Sequence, residues 1–294
     1  MTRRPTAVPE LELVAERRIH DLLPNGGPGR AEASGVLAAE NRLFVIFDDS
    51  TAIAILDQDL SRTVENHVIY PNPRLAPDRY AGAGYEDIAR DPATGHLYLL
   101  VEAVEREDRL MPRLEILDAD FQRSSQAFLD FAIEKDNKGM EGLSCLNRAG
   151  ELTLVALCEG NWCSGGKEGE RPGGGRLQLF RPAPGDCEHL GTINLPPNLW
   201  FVDYSSVAIR GDKIAVLSQQ SAALWIGEFR PESWAIADHG SYYGLPRDKG
   251  GNKQYGTAEG LSWLDEDHLV VVSDKAKKRR FEEKERSVHI FRLP

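Results

Sequence analysis

The sequence predicts an all-β fold, a five-bladed β-propeller in a single domain, 1–294, with an N-terminal strand completing the last blade. Three observations predict it. Five short motifs, Ser34-Gly35-Val36, Glu86-Asp87-Ile88, Glu141-Gly142-Leu143, Ser205-Ser206-Val207 and Glu259-Gly260-Leu261, start at intervals of 52, 55, 64 and 54 residues. A long, nearly fixed period marks one supersecondary unit copied about an axis. Each motif then runs into short alternating β-branched segments separated by Asp, Asn, Gly and Pro, the pattern of an antiparallel meander. Finally, the last unit is one strand short, and an otherwise unassigned strand stands at the N-terminus.

Taken in order, the blades are expected at about 32–70, 84–131, 139–195, 203–238 and 257–294 plus 9–20. The first has an inner strand 35–39, then 43–47, the turn Asp48-Asp49-Ser50, a strand Ala52 to Leu56, and an outer strand Thr63 to Tyr70. In the second, Asp91 to Gly95 is a tight turn, followed by His96 to Val101, Arg113 to Leu117 and Ser125 to Phe131. The third has 143–146, Leu152 to Cys158, Arg176 to Arg181 and His189 to Leu195. The fourth has 207–209, Lys213 to Ser218, Ala223 to Phe229 and Trp234 to Asp238. The fifth stops after 261–264, 268–273 and Ser287 to Leu293, and Leu11 to Ile19 supplies its missing strand. Such pairing removes the open sheet edge. The long connections, 102–112, 159–175 and 274–286 within blades and 71–84, 132–139, 196–204 and 239–257 between them, all emerge on one face, which is expected to carry function.

The formal charge of −11 argues against nucleic acid or an anionic membrane as partner and fits a protein that binds a cation. No apolar run approaches the ~18 residues of a membrane span, and Met1 to Pro5 leads into no apolar segment, so a cytoplasmic location is expected. Cys145, Cys158, Cys163 and Cys187 show no zinc spacing. Reduced thiols are expected, although Cys158 and Cys163 flank a turn and could cross-link in an oxidising compartment.

If the inner strands begin at one height, Ser34, Glu86, Glu141, Ser205 and Glu259 form a ring around the channel. Three carboxylates so close need raised pKa values or a cation among them. The donors are all oxygen, which selects Ca2+ ahead of Mg2+. Structural capping of backbone N–H groups is the alternative. The ring order resembles the calcium-activated nucleotidases (soluble apyrases), as do Ser34-Gly35-Val36 followed by Asp48-Asp49-Ser50-Thr51, Asp203-Tyr204-Ser205-Ser206-Val207 and Ala258-Glu259-Gly260-Leu261. That resemblance implies a five-bladed propeller with a channel Ca2+. The family's basic and aromatic stretch after its second blade start, and its arginine pair after the third, have no counterpart here. A looser similarity runs to esterase-like phytase, gluconolactonase and strictosidine synthase propellers.

Around the ring, the loop face is expected to add Asp48, Asp49, Glu102, Arg109, Glu159, Asn161, Gln219, Asp274 and Lys275. In a hydrolase acting on a small anionic molecule, Asp49 or Glu159 would serve as general base, and Arg109, Lys275 or Lys277 would neutralise developing negative charge. The rival is a non-catalytic binding module with a structural cation. Gly165 to Gly175 lacks the Lys-Ser/Thr of a Walker loop and reads as a mobile flap. His239 is the histidine expected near the channel mouth, and no Ser/His/Asp triad can be assembled.

Overall fold

Strict alternation over short apolar segments gives strands with one face for each neighbouring sheet, and the computed structural model is built almost entirely of them. It describes residues 8–28, 30–71, 84–134, 139–230, 233–255, 257–275 and 284–294. The described strands are β1 (Glu12–Arg18), β2 (Ala33–Ala39), β3 (Arg42–Phe47), β4 (Ser50–Asp57), β5 (His67–Ile69), β6 (Ile88–Arg90), β7 (Leu97–Arg106), β8 (Arg109–Leu117), β9 (Arg123–Leu129) and β10 (Met140–Arg148). There follow β11 (Glu151–Cys158), β12 (Arg176–Arg181), β13 (Asp186–Asn194), β14 (Ser206–Arg210), β15 (Lys213–Ser218), β16 (Ala223–Glu228), β17 (Ser241–Gly244), β18 (Ala258–Trp263), β19 (His268–Ser273) and β20 (Ser287–Arg292).

Three sheets have four strands, ordered β2-β3-β4-β5, β14-β15-β16-β17 and β1-β20-β19-β18. The fourth has eight, ordered β10-β11-β12-β13-β9-β8-β7-β6. Within it, two antiparallel meanders are joined as a β-ladder only where β13 and β9 run parallel over Asp186↔Phe128 and Cys187↔Leu129. Inner strands β2, β6, β10, β14 and β18 touch in cyclic order and return to β2. Apolar side chains fill the spaces between adjacent meanders: Val45, Phe47 and Val272 between two of the four-stranded sheets, Tyr98, Leu114 and Phe180 between the two halves of the eight-stranded one. Among the described residues no helix is long and apolar enough to cross a membrane.

The N-terminal strand behaves as the sequence requires. β1 pairs antiparallel with β20 from Glu12↔Arg292 to Arg18↔Ser287. Glu16 fastens this seam by accepting from Lys284 Nζ and facing His289 Nδ1 at 3.3 Å. His289 is fully buried, and its Nε2 lies 2.9 Å from Ser273 Oγ.

At the axis the second residue of each repeated motif decides how close the inner strands come. These are Gly35, Asp87, Gly142, Ser206 and Gly260. A Cβ at Gly260 would stand 2.7 Å from the Gly35 Cα, and one at Gly142 2.9 Å from the Val207 backbone nitrogen. Asp87, buried, accepts from Leu143 N–H (2.9 Å) and from the Ser206 hydroxyl (2.9 Å), and Ser206 Oγ accepts from Leu261 N–H (3.1 Å). Backbone and side chain together thus plug the channel. Gly35→Ala would put its Cβ 2.9 Å from the Asp87 Cα. It is expected to destabilise the fold by ~1–3 kcal/mol, read as a lower urea midpoint; an unchanged midpoint would mean that the axis has slack.

Several expected connections take a different form. Residues 102–112 are not a loop: β7 and β8 continue to a tip at Glu107 and Asp108, both with positive φ (50° and 61°). The pairs Val104↔Met111, Glu105↔Leu110 and Arg106↔Arg109 extend the ladder. The outer strand of the fourth meander is Ser241–Gly244 rather than Trp234 to Asp238. The glycine-rich stretch is not a free flap, because Gly166–Gly169 forms a helical turn tied to buried Asn161. Cys158 and Cys163 are joined in a disulfide, which corrects the expectation of reduced thiols, while Cys145 and Cys187 are free. The turn between the two cysteines brings their Cα atoms to 5.1 Å, within bridging reach.

Candidate metal centre

Local backbone irregularity aims the first ring inward. The β-ladder register shifts between Ala33 and Gly35, between Met140 and Gly142, and between Ala258 and Gly260. Ser34, Glu141 and Glu259 are therefore the extra residues of β-bulges, a device that turns a side chain out of the normal alternation. Glu86 and Ser205 sit just before their inner strands, held by Glu86 N–H to Leu100 C=O (2.9 Å) and Ser205 N–H to Leu217 C=O (3.0 Å).

A second ring comes from the residues that leave the neighbouring strands of the same sheets. Asp48 follows β3, Glu159 follows β11, Gln219 follows β15 and Asp274 follows β19, while Glu102 lies at a bulge in β7. One oxygen each from Glu102, Glu141 and Glu159 lies within 4.8 Å of the others. Gln219 Nε2 donates to Glu259 Oε1 at 2.7 Å, and Glu102 Oε1 accepts the Gly139 N–H at 2.8 Å.

Electrostatics follow from this crowding. Part of each glutamate still faces the channel, but the carboxyl ends of Glu86, Glu141 and Glu259 are enclosed by protein. Burial first, and then mutual repulsion, holds all three well above the usual carboxylate range. Glu86 is opposed by Glu102, Asp48 and Glu159, and Glu141 by Glu86, Glu102, Glu159 and Glu259. Asp274, Asp48 and Glu86 oppose Glu259. Asp48 is exposed as a residue, yet partial burial of its carboxyl and the charges of Asp274, Glu32 and Asp49 push it up to about 7. Asp274 is pushed up to about 6, by burial first, then by Glu32 and Asp49, against the Lys275 N–H. Opposing positive charge lies at the rim, where Arg30 approaches Asp49 (3.7 Å) and Arg286 approaches Glu32 (4.0 Å).

The donors suit a hard cation. Oxygens on opposite sides of one Ca2+ are ~4.6–5.2 Å apart, and of one Mg2+ ~4.0–4.2 Å. The oxygens of Glu102, Glu141 and Glu159, all within 4.8 Å of one another, admit either. No His or Cys competes among these positions, so a softer metal has little to select it.

The expected residues separate into groups. Glu86, Glu141 and Glu259 converge. Ser34 and Ser205 lie beside them, but each hydroxyl donates to a backbone carbonyl of the next sheet, Tyr85 and Ala258 respectively. Glu159, expected as a base, stands among the carboxylates. Asp49 is occupied in organising its own loop, accepting from Arg30 N–H (3.1 Å) and Glu32 N–H (3.2 Å). Arg109 is not brought to the ring: it sits exposed at the β7–β8 tip opposite Arg106, which lies four residues beyond Glu102, roughly 13 Å along the strand. Lys275 is exposed beside Asp274, and Lys277 lies outside the described residues. Asn161 is fully buried and structural, and the His239 carbonyl accepts from Trp225 Nε1. Glu102 and Glu159 were expected on the loop face around the ring, and the structure brings both to Glu141. Their signal was a second five-fold series, Asp48, Glu102, Glu159, Gln219 and Asp274, spaced 54, 57, 60 and 55 residues apart.

The sequence matches no protein-family model and no curated protein. In structure the chain is similar to the glutaminyl cyclase of Myxococcus xanthus, with a TM-score of 0.54 and 10% identity over 97% of this chain and 98% of that one. It is similar as well to the PQQ-bound aldose sugar dehydrogenase of Streptomyces coelicolor, with a TM-score of 0.53 and 13% identity over 98% and 99%. Both are propellers. The fold is a β-propeller. At these identities the likeness speaks to fold alone, since propellers host unrelated activities. In this propeller the carboxylate cluster lies where the inner strands begin, directly above the plugged axis.

Proposed function

We propose that the chain is a five-bladed propeller that binds Ca2+ at the channel mouth and acts as a metal-dependent hydrolase on a small anionic substrate. The five-blade count takes the eight-stranded sheet as two blades, because its halves share only a two-residue parallel pairing. One observation carries the functional reading: Glu86, Glu141 and Glu259 are gathered with Glu102 and Glu159 in one enclosed place, where burial and then repulsion disfavour the ionised forms of Glu86, Glu141 and Glu259. A divalent ion relieves that repulsion.

These glutamates would hold the ion, with Asp48 and Asp274 flanking it. When bound, Ca2+ would polarise a substrate oxygen and lower the pKa of a coordinated water. Asp48, at the rim, is placed to take a proton from an approaching nucleophile. Arg30, Lys275 and Arg286 edge the mouth with the positive charge an anionic substrate needs. Given the resemblance to calcium-activated nucleotidases, phosphoanhydrides are the first substrates to try, followed by phosphoesters and lactones. The disulfide favours an oxidising compartment over the cytoplasm.

A stapling role for the ion, in a non-catalytic module, is favoured by a different fact. Ser34, Ser205 and Glu102 already use polar atoms to tie neighbouring segments together. The two readings divide on one experiment: metal analysis of the purified protein, then turnover of nucleotides, sugar phosphates and lactones with and without chelator. Bound calcium with chelator-sensitive turnover is expected. Calcium without turnover of any substrate leaves the stapling role, and no divalent ion at all would sink both.

A further inference from the structure

The meanders do not share the charge of the channel mouth equally. Four of them bring at least one carboxylate to the two rings, while the sheet of β14 to β17 brings none among the described residues. Its residue in the first ring is Ser205, and its residue in the second is Gln219. The acid nearest to them in sequence, Asp203, is occupied elsewhere. It accepts from the Ser218 hydroxyl (2.5 Å) and the Gln220 N–H (3.0 Å), and so clamps the turn on both sides of Gln219.

Held in this way, Gln219 Nε2 gives one hydrogen to Glu259 Oε1 at 2.7 Å. An amide nitrogen carries two, and the second has no partner among the described residues. Lys253 stands on the same side, exposed and donating to the Gln220 C=O. The rim cations Arg30 and Arg286 lie instead against Glu32 and Asp49, beside the first meander. An anion entering a carboxylate cluster is repelled by each carboxylate it passes, the more so where water is scarce. The neutral gap at Gln219 is the side on which that repulsion is least.

We propose that the anionic group of the substrate reaches the cation site from the sheet of β14 to β17, where Gln219 donates its second amide hydrogen to it and Lys253 draws it in. This rests on the Ca2+ hydrolase reading above. It narrows the substrates to those with a charged oxygen group, phosphoesters and phosphoanhydrides ahead of neutral lactones, because N–H donors and a lysine complement charge. Ser205 takes no direct part, since its hydroxyl donates to Ala258 C=O.

The test titrates inorganic phosphate by calorimetry into the Ca2+-loaded protein and into the protein in chelator, and measures Ca2+ affinity alongside. Gln219→Glu places a carboxylate in the gap. It should bind Ca2+ at least as tightly as the parent, because an acidic oxygen is added, and phosphate about tenfold or more weakly. Lys253→Glu is an exposed change that serves should Gln219→Glu not fold. It should weaken phosphate about threefold or more, against no change in Arg109→Glu, which alters net charge equally at the β7–β8 tip. Unchanged phosphate binding in Gln219→Glu overturns the proposal, because the anion then enters by another side. Loss of Ca2+ and phosphate together also overturns it, since Gln219 then supports the ion site alone. Equal weakening by Lys253→Glu and Arg109→Glu, or phosphate binding that survives chelator, does the same. A parent that binds Ca2+ but no phosphate removes this inference and leaves the cation site, whereas one that binds no Ca2+ removes both.

Discussion

Glu141→Gln is expected to abolish Ca2+ binding while making the chelated protein more stable. Glu141 is the carboxylate that ties the two rings together, close to Glu102 and Glu159 and repelled by Glu86 and Glu259 as well. An amide keeps the shape and removes the charge. Affinity should drop at least ~100-fold, since a buried carboxylate ligand is lost and a donor N–H2 now faces the ion. In chelator the same change relieves repulsion among enclosed groups, and the melting temperature should rise by roughly 2–4 °C for each kcal/mol relieved. Turnover should vanish with the ion if the propeller is a hydrolase. A thermal shift with Ca2+ that matches the parent protein would exclude Glu141 as a ligand. A fall in chelated stability would show that the repulsion is already compensated.

Stability of the chelated protein should fall as pH rises from ~4 to ~7, the opposite of ordinary acid denaturation. Glu86, Glu141 and Glu259 are held well above the usual range, Asp274 at about 6 and Asp48 at about 7. For a group whose folded pKa exceeds its unfolded value, the folded state binds more protons between the two values. Stability is then fully present below the unfolded carboxylate pKa and is lost as pH rises through the folded one. Asp48, at about 7, and Asp274, at about 6, place their share of that loss near neutrality. Saturating Ca2+ should flatten or reverse the trend, because protons and Ca2+ compete for the same oxygens. Melting curves at several pH values, with and without Ca2+, check both arms. A chelated protein that grows more stable from pH 5 to 7 would show that these carboxylates ionise without cost.

Much of the architecture was legible because strands advertise themselves twice, by alternation and by the turn residues between them. The period of the five motifs located the inner strands, and the missing strand of the last unit found its partner in β1. Periodicity also placed Glu86, Glu141 and Glu259 at one height. It could not say how the Asp87 and Ser206 side chains would be used. Those residues look like part of the same repeat, yet they knit the axis rather than face the mouth. Arg109 was misplaced for a related reason. The segment 102–112 has the charges of a loop, but its pairing partners, Val104 with Met111 and Arg106 with Arg109, carry it outward as a hairpin.

By itself the sequence determined the all-β repeat, the strand that joins the two chain ends, and the oxygen character of the ring, because each depends only on local pattern and residue type. Tertiary structure alone decided which carboxylates meet. Glu102 and Glu159 join Glu141 only once bulges and strand ends bring segments from separate inner and second strands to one spot. The same holds for the disulfide, which a spacing of five residues permits and only the left-handed turn at Trp162 and Cys163 closes. Distance between side chains far apart in sequence is set by packing, and packing is where repulsion, burial and the need for a cation arise.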